Sequence, residues 1–213
     1  MNRFKSFLKK LPIKFIVTNL FFIVSLIILY LSNGISLWTL GFLFDVSFFI
    51  GLVSLIYFIT GNNLAKNIVF TIVGFIFTFL YNVDYIYHGN FGRFASAASL
   101  ANADMVLDNF GAYEINIDII NILLFILLAL FIVFLFAFKN KKQSFKERLF
   151  YIIPSLLIFV PFIFVYIMCY NDQLKLDILL FPKRHKFPNF INNFGYIFYR
   201  YEDLMVVLEN LGG

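Results

Sequence analysis

Five separate apolar runs, each close to the ~20 residues that cross a bilayer as a helix, constrain this chain more than any other feature. They lie at about 13–32, 38–59, 68–87, 117–138 and 150–170. Continuous apolarity argues for helices, because a barrel strand would alternate apolar and polar residues. The overall composition agrees: 62% of the residues are hydrophobic and 14% charged, with 32 Phe. A soluble domain usually carries about 25% charge. So short a chain has no water-soluble core in which to hide that much apolar surface, so lipid is the solvent for most of it.

The flanks of the runs follow the same logic. Trp38, Tyr57, Tyr87, Tyr151 and Tyr170 fall near run ends, where an interfacial aromatic belt would place them. Eleven basic residues fall on one side: Arg3, Lys5, Lys9, Lys10 and Lys14 before the first run, Lys66 between the second and third, and Lys139, Lys141, Lys142, Lys146 and Arg148 between the fourth and fifth. Six fall on the other: Arg93, Lys175, Lys183, Arg184, Lys186 and Arg200. This bias predicts a cytoplasmic N-terminus and, after five crossings, a tail outside. The first apolar run is longer than the core of a signal peptide and no A-x-A-like site follows it, which favours an uncleaved first helix. The net charge of +5 gathers beside run ends, where it meets headgroups. No recognition motif accompanies it, so nucleic acid is not an expected partner.

The expected architecture is an all-α membrane protein. Residues 1–170 form a five-transmembrane-helix bundle, and residues 171–213 an extracellular juxtamembrane amphipathic segment. In the long loop after the third run, Phe94, Ala98, Ala101 and Met105 recur at helical spacing and suggest a short interfacial helix. Pro182 and Pro188 break the tail, and Phe190 to Leu211 reads as a second amphipathic helix.

Polar residues inside the runs carry the functional information, because a carboxylate in a membrane span is expensive. Asp45 lies several residues into the second run. Tyr81, Asp84, Tyr85 and His88 share one helical face at the end of the third, and Arg93 follows directly. The functional reading is a lipid-headgroup site at the outer mouth of the bundle, with Arg93 as the phosphate partner. The alternative is structural. Tyr and His then serve as interfacial anchors, Asp84 pairs with Arg93 or meets headgroup water, and Asp45 reaches water from near the interface.

Other chemistries find no support in the sequence. Cys169 is a single thiol and reads as a small apolar residue. His88 and His185 lack metal-ligand neighbours, so no metal site is expected. No phosphate-binding glycine loop and no nucleophile motif is present. Voltage sensing would need spaced Arg within a span, and a transporter would usually show two related halves.

Two stretches carry a resemblance. In the tail, Phe187 to Leu204 (FPNFINNFGYIFYRYEDL) approximates an Asn-x-Gly-x-x-x-Tyr-x-x-Tyr-Asp-like pattern through Asn193, Gly195, Tyr199, Tyr201 and Asp203. Tyr85 to Phe94 (YIYHGNFGRF) is similar to an aromatic Tyr-Tyr-Arg-Phe-like exit from a third span. With the order of spans and basic loops, these resemble the N-terminal membrane domain of the lipoteichoic acid synthase family, phosphoglycerol transferases of the sulfatase superfamily. The resemblance implies a bacterial-type plasma membrane, a role in cell wall biogenesis, and phosphatidylglycerol as the lipid. It also implies an external catalytic domain with a Thr nucleophile and a divalent metal, usually Mn²⁺. That domain would begin beyond Gly213, so no family nucleophile or metal ligand maps onto these residues. The expectation is a membrane-anchoring and lipid-positioning domain, inactive alone. Two alternatives stay open: a stand-alone non-enzymatic membrane protein acting through a partner protein, and a small transporter or flippase.

Overall fold

The computed structural model describes residues 13–92, 94–95, 117–138, 143–164 and 187–212. Every regular element among them is a helix. Four are long and apolar enough to cross a membrane: α1 (Ile13–Ser32), α2 (Leu40–Ile59), α3 (Asn63–Phe91) and α4 (Ile119–Ala137). A single-turn helix, α5 (Phe145–Leu149), leads into an apolar helix shorter than the four spans, α6 (Ile152–Phe164). The tail supplies α7 (Phe187–Phe194) and α8 (Tyr196–Gly212).

α1 matches its apolar run, and the others differ for local reasons. α2 begins at Leu40 because Thr39 caps it, its hydroxyl accepting from Phe42 N–H. α3 extends beyond its run at both ends. Its first turn is capped by Asn62, whose Oδ1 accepts from Leu64 N at 2.9 Å, and polar residues through Asn90 continue the helix without interruption. An apolar run measures the hydrocarbon it crosses, whereas a helix follows its caps. α4 opens with a capping box in which Asp118 and Asn121 each bond the other's backbone N–H.

α6 covers the first part of the fifth run; residues 165–170, Cys169 among them, lie outside the described residues. It tightens to a 3₁₀ turn over Leu156–Phe159. Pro161 accounts for this. It has no N–H to bond the Leu157 carbonyl, and its ring would crowd that oxygen, so Val160 N–H takes the bond to Leu157 instead.

α2 is the central helix, packed against α1, α6 and α7, while α1 and α3 both pack on α4. The seams are aromatic and close-fitting. Phe21 stacks on Phe131 with ring centroids 4.0 Å apart, and Phe22 stacks on Phe49 at 5.1 Å. Lipid is as apolar as a side chain, so close fit rather than expulsion of water holds such helices together. The surface facing outward carries Leu20, Leu43, Ile72, Phe79, Leu130 and Val133, all well exposed, as a lipid-facing surface requires.

The bundle has two chemically distinct ends. One gathers the start of α1, the α2–α3 turn, the end of α4 and α5. It carries Lys14, Lys66 and Arg148 and is called the basic end below. The other gathers the α1–α2 turn, the end of α3, the start of α4, and α7 with α8.

Candidate functional site

The end opposite the basic end is organised around Asp45 and Asp84. Asp45, on the second turn of α2, is 1% exposed. Its Oδ2 accepts from Tyr30 OH at 2.6 Å and from Tyr196 N at 2.7 Å. Its Oδ1 accepts from Ile197 N at 2.9 Å. Tyr196 and Ile197 are the first two residues of α8, so a carboxylate inside one helix caps another helix 151 residues away. Those N–H groups have no intrahelical partner, and the helix dipole places partial positive charge there. The expectation that Asp45 reaches water is therefore corrected: its oxygens are used up by a tyrosine and a helix start.

The contact requires backbones to approach closely. Gly195 joins α7 to α8 at φ +87°, a left-handed conformation that glycine adopts without a Cβ clash. A Cβ there would stand 2.6 Å from Asp45 Oδ1 and 2.6 Å from the Gly41 carbonyl oxygen. A Cβ on Gly41 would overlap the Ile191 carbonyl and the Gly195 backbone. Two glycines on opposite sides of one seam thus let α7 lie against α2.

Asp84, one face along α3, is 0% exposed. Its Oδ2 accepts from Tyr196 OH at 2.6 Å. Its Oδ1 accepts from Ala95 N at 3.1 Å and forms an ion pair with Arg200 Nη2. Arg200 also donates from Nε to Tyr196 OH at 3.2 Å and from Nη1 to the Ala95 carbonyl. Its guanidinium lies 5.4 Å from the Tyr196 ring centre and 5.5 Å from that of Tyr199. Burial lowers Arg200 to about 10, so it stays charged at neutral pH and balances Asp84. Breaking such a pair on one side leaves a bare buried charge, which costs about 3–5 kcal/mol.

The other sequence candidates group around this lock. Tyr81 is fully buried, its ring edge-on to Tyr196 at 5.3 Å, and its hydroxyl has no partner among the described residues. Tyr85 is partly exposed and donates its hydroxyl to Asp118, the cap of α4. That bond, before all other causes, holds the Asp118 carboxyl below the usual carboxylate range. His88 is partly buried, with its ring 6.0 Å from Phe94. Arg93 lies outside the described residues, as do Ala98, Ala101 and Met105. Asp84 has Arg200 as its ion-pair partner.

Tyr81, Asp84, Tyr85 and His88 do share one face of α3, but they divide along it. The first two turn into the contact with α8, and the last two lie nearer the surface. Sequence reasoning missed Tyr30, Tyr196, Arg200 and Asp118. A signal existed for Arg200, which was one of only six basic residues on that side and therefore one of few cations able to answer a buried carboxylate. Asn121 donates to Asn82 Oδ1 at 2.8 Å and ties α4 to α3 one turn below.

Chemically the cluster is closed. Each of the two carboxylates accepts three hydrogen bonds: Asp84 is paired with Arg200, which also meets Asp203 at 3.4 Å, and Asp45 faces a helix start. Among the described residues no three His, Cys, Asp or Glu side chains converge as a metal ion would require. No family model, no curated protein and no solved structure matches this chain.

Proposed function

We propose that this protein is a membrane-anchoring and lipid-positioning module, of the kind that carries the external enzyme in lipoteichoic acid synthase-type phosphoglycerol transferases. The observation that carries the reading is the double attachment of α8: its start is capped by Asp45 of α2, and its Arg200 is paired with Asp84 of α3. A helix fastened to two spans by buried polar bonds is held in fixed register with the membrane. That suits a base for chemistry at the lipid surface. On the positive-inside bias the basic end is cytoplasmic and α7 and α8 are extracellular; the family resemblance implies that the membrane is a bacterial-type plasma membrane. Tyr85 and His88 then border the headgroups of the outer leaflet, where phosphatidylglycerol would be presented.

A second reading is a non-enzymatic membrane protein that works through a partner. It is favoured by the stripe of Tyr201, Leu204 and Leu208 on α8, each well exposed.

The test is made in the protein's own membranes, following labelled glycerol phosphate from phosphatidylglycerol into polymer. Deleting the chain should stop the transfer. Asp45→Ala combined with Asp84→Ala should lower it while the protein remains in the membrane. Transfer that continues after deletion would remove the transferase assignment and leave the partner reading.

A further inference from the structure

Three cations meet at the basic end, and no carboxylate balances them among the described residues. Lys14, in the first turn of α1, donates to Asn67 Oδ1 at 3.2 Å and to the Leu135 carbonyl at 2.6 Å. Lys66, in the first turn of α3, donates to Gln143 Oε1 at 3.1 Å and sits 4.0 Å from the centre of the Tyr57 ring. Arg148 donates to the carbonyls of Phe58 and Ile59 at the end of α2, at 3.3 and 3.2 Å. Every one of these acceptors is neutral. Lys14 and Lys66 are 1% and 2% exposed, so water does little to disperse their charge.

Along the sequence, residues 1–14, 60–67 and 138–149 contain eleven Lys and Arg and a single acid, Glu147. Glu147 is occupied locally, accepting from Ser144 N at 2.7 Å in a capping box. Buried cations held by neutral dipoles alone are costly unless an anion reaches them. Two of these cations have donors in hand that no carboxylate uses among the described residues. Arg148 Nε is buried with no partner among the described residues, and Lys66 meets one oxygen and a ring face. Arg148 is partly exposed and gives access from the interface.

A second feature lies on the same seam. Beginning one turn along α1 from Lys14, a groove of about 240 Å³ runs between α1 and α4, lined by Val17, Leu20, Phe21, Val24, Phe131 and Phe134 among others. No polar side chain lines it, and it opens toward lipid. A free anion has no use for such a groove, whereas an acyl chain does.

We propose that the basic end holds the phosphate of one anionic phospholipid of the adjacent leaflet, with an acyl chain lying in the α1–α4 groove. Arg148, the partly exposed cation, contacts the phosphate, and the buried Lys66 and Lys14 add charge from below. The site is at the opposite end from the α8 lock and does not depend on the transferase reading.

The test is a native mass-spectrometric titration of the full chain in mild detergent after delipidation. The probes are dioleoylphosphatidylglycerol, dioleoylphosphatidylcholine and inorganic phosphate. One phosphatidylglycerol should bind at least about tenfold tighter than phosphatidylcholine. A cation near the membrane surface is worth roughly fivefold in affinity, so Arg148→Gln should cost about that and Lys66→Gln with Arg148→Gln about 30-fold. Leu20→Trp, at a lipid-facing position that leaves the fold intact, should weaken both lipids alike by filling the groove. Arg148→Lys should keep most of the preference. Equal binding of the two lipids, undiminished phosphatidylglycerol binding in Arg148→Gln, or displacement of lipid by millimolar phosphate would each overturn the proposal.

Discussion

Asp45 and Asp84 show how one side chain can decide the placement of a whole helix. Both stood out in the sequence, because a carboxylate in an apolar run demands a reason. Their partners did not, because Tyr196 is 151 residues from Asp45 and Arg200 is 116 from Asp84. Residue type advertises a need without saying which distant group meets it. The pair makes a sharp prediction. Arg200→Met leaves Asp84 buried and unpaired and should destabilise the protein by about 3–5 kcal/mol. Asp84→Asn with Arg200→Met should recover part of that loss, because the stranded charge is gone. A double-mutant cycle on thermal unfolding in detergent checks this; additive losses would mean the two side chains do not interact. Asp118 makes a pH prediction. Its folded pKa lies below its unfolded value, so its contribution is present above the unfolded pKa and is lost as pH falls through the folded one. Melting of the wild type should therefore drop between about pH 4 and lower values more than that of Tyr85→Phe, which has already lost the bond.

At the scale of elements, the apolar runs announced α1 to α4 and located each to within a few residues, because hydrophobicity is what a span must have. They were silent on caps, on the 3₁₀ turn before Pro161, and on the seams where backbone meets backbone. Glycine contacts are invisible to hydropathy. Gly41 and Gly51 both sit inside the second apolar run, yet a Cβ on Gly41 would strike α7 and a Cβ on Gly51 would strike the Ile158 backbone. Gly41→Ala should therefore loosen α7 from α2 as badly as Asp45→Asn does, and Gly51→Ala should loosen α6. Gly89, in α3, has nothing within 4 Å of its Cβ position, and Gly89→Ala should be stabilising by about 0.5–1 kcal/mol. Proteolytic protection of α7–α8 together with melting temperature separates the three; equal effects at all three glycines would contradict the packing described.

On the scale of the whole molecule, the chain divides its polar work between two ends. One end consumes its carboxylates internally and fastens the tail to the spans. The other gathers Lys14, Lys66 and Arg148, with no carboxylate balancing them among the described residues. Charge counting along the sequence foresaw this asymmetry, because basic residues cluster by loop. It did not foresee that the tail helices belong to the bundle, since that attachment depends on two carboxylates, one arginine and two glycines drawn from three separate stretches. The most direct measurement of that attachment is a spin-label distance between the α1–α2 turn and α8, with Cys169 replaced and labels at the exposed positions Trp38 and Leu208. The wild type in lipid nanodiscs should give one narrow distance distribution, and Asp45→Ala with Asp84→Ala should broaden it. A broad distribution in the wild type, or a narrow one unchanged in the double variant, would contradict a tail locked to the membrane spans by these two residues.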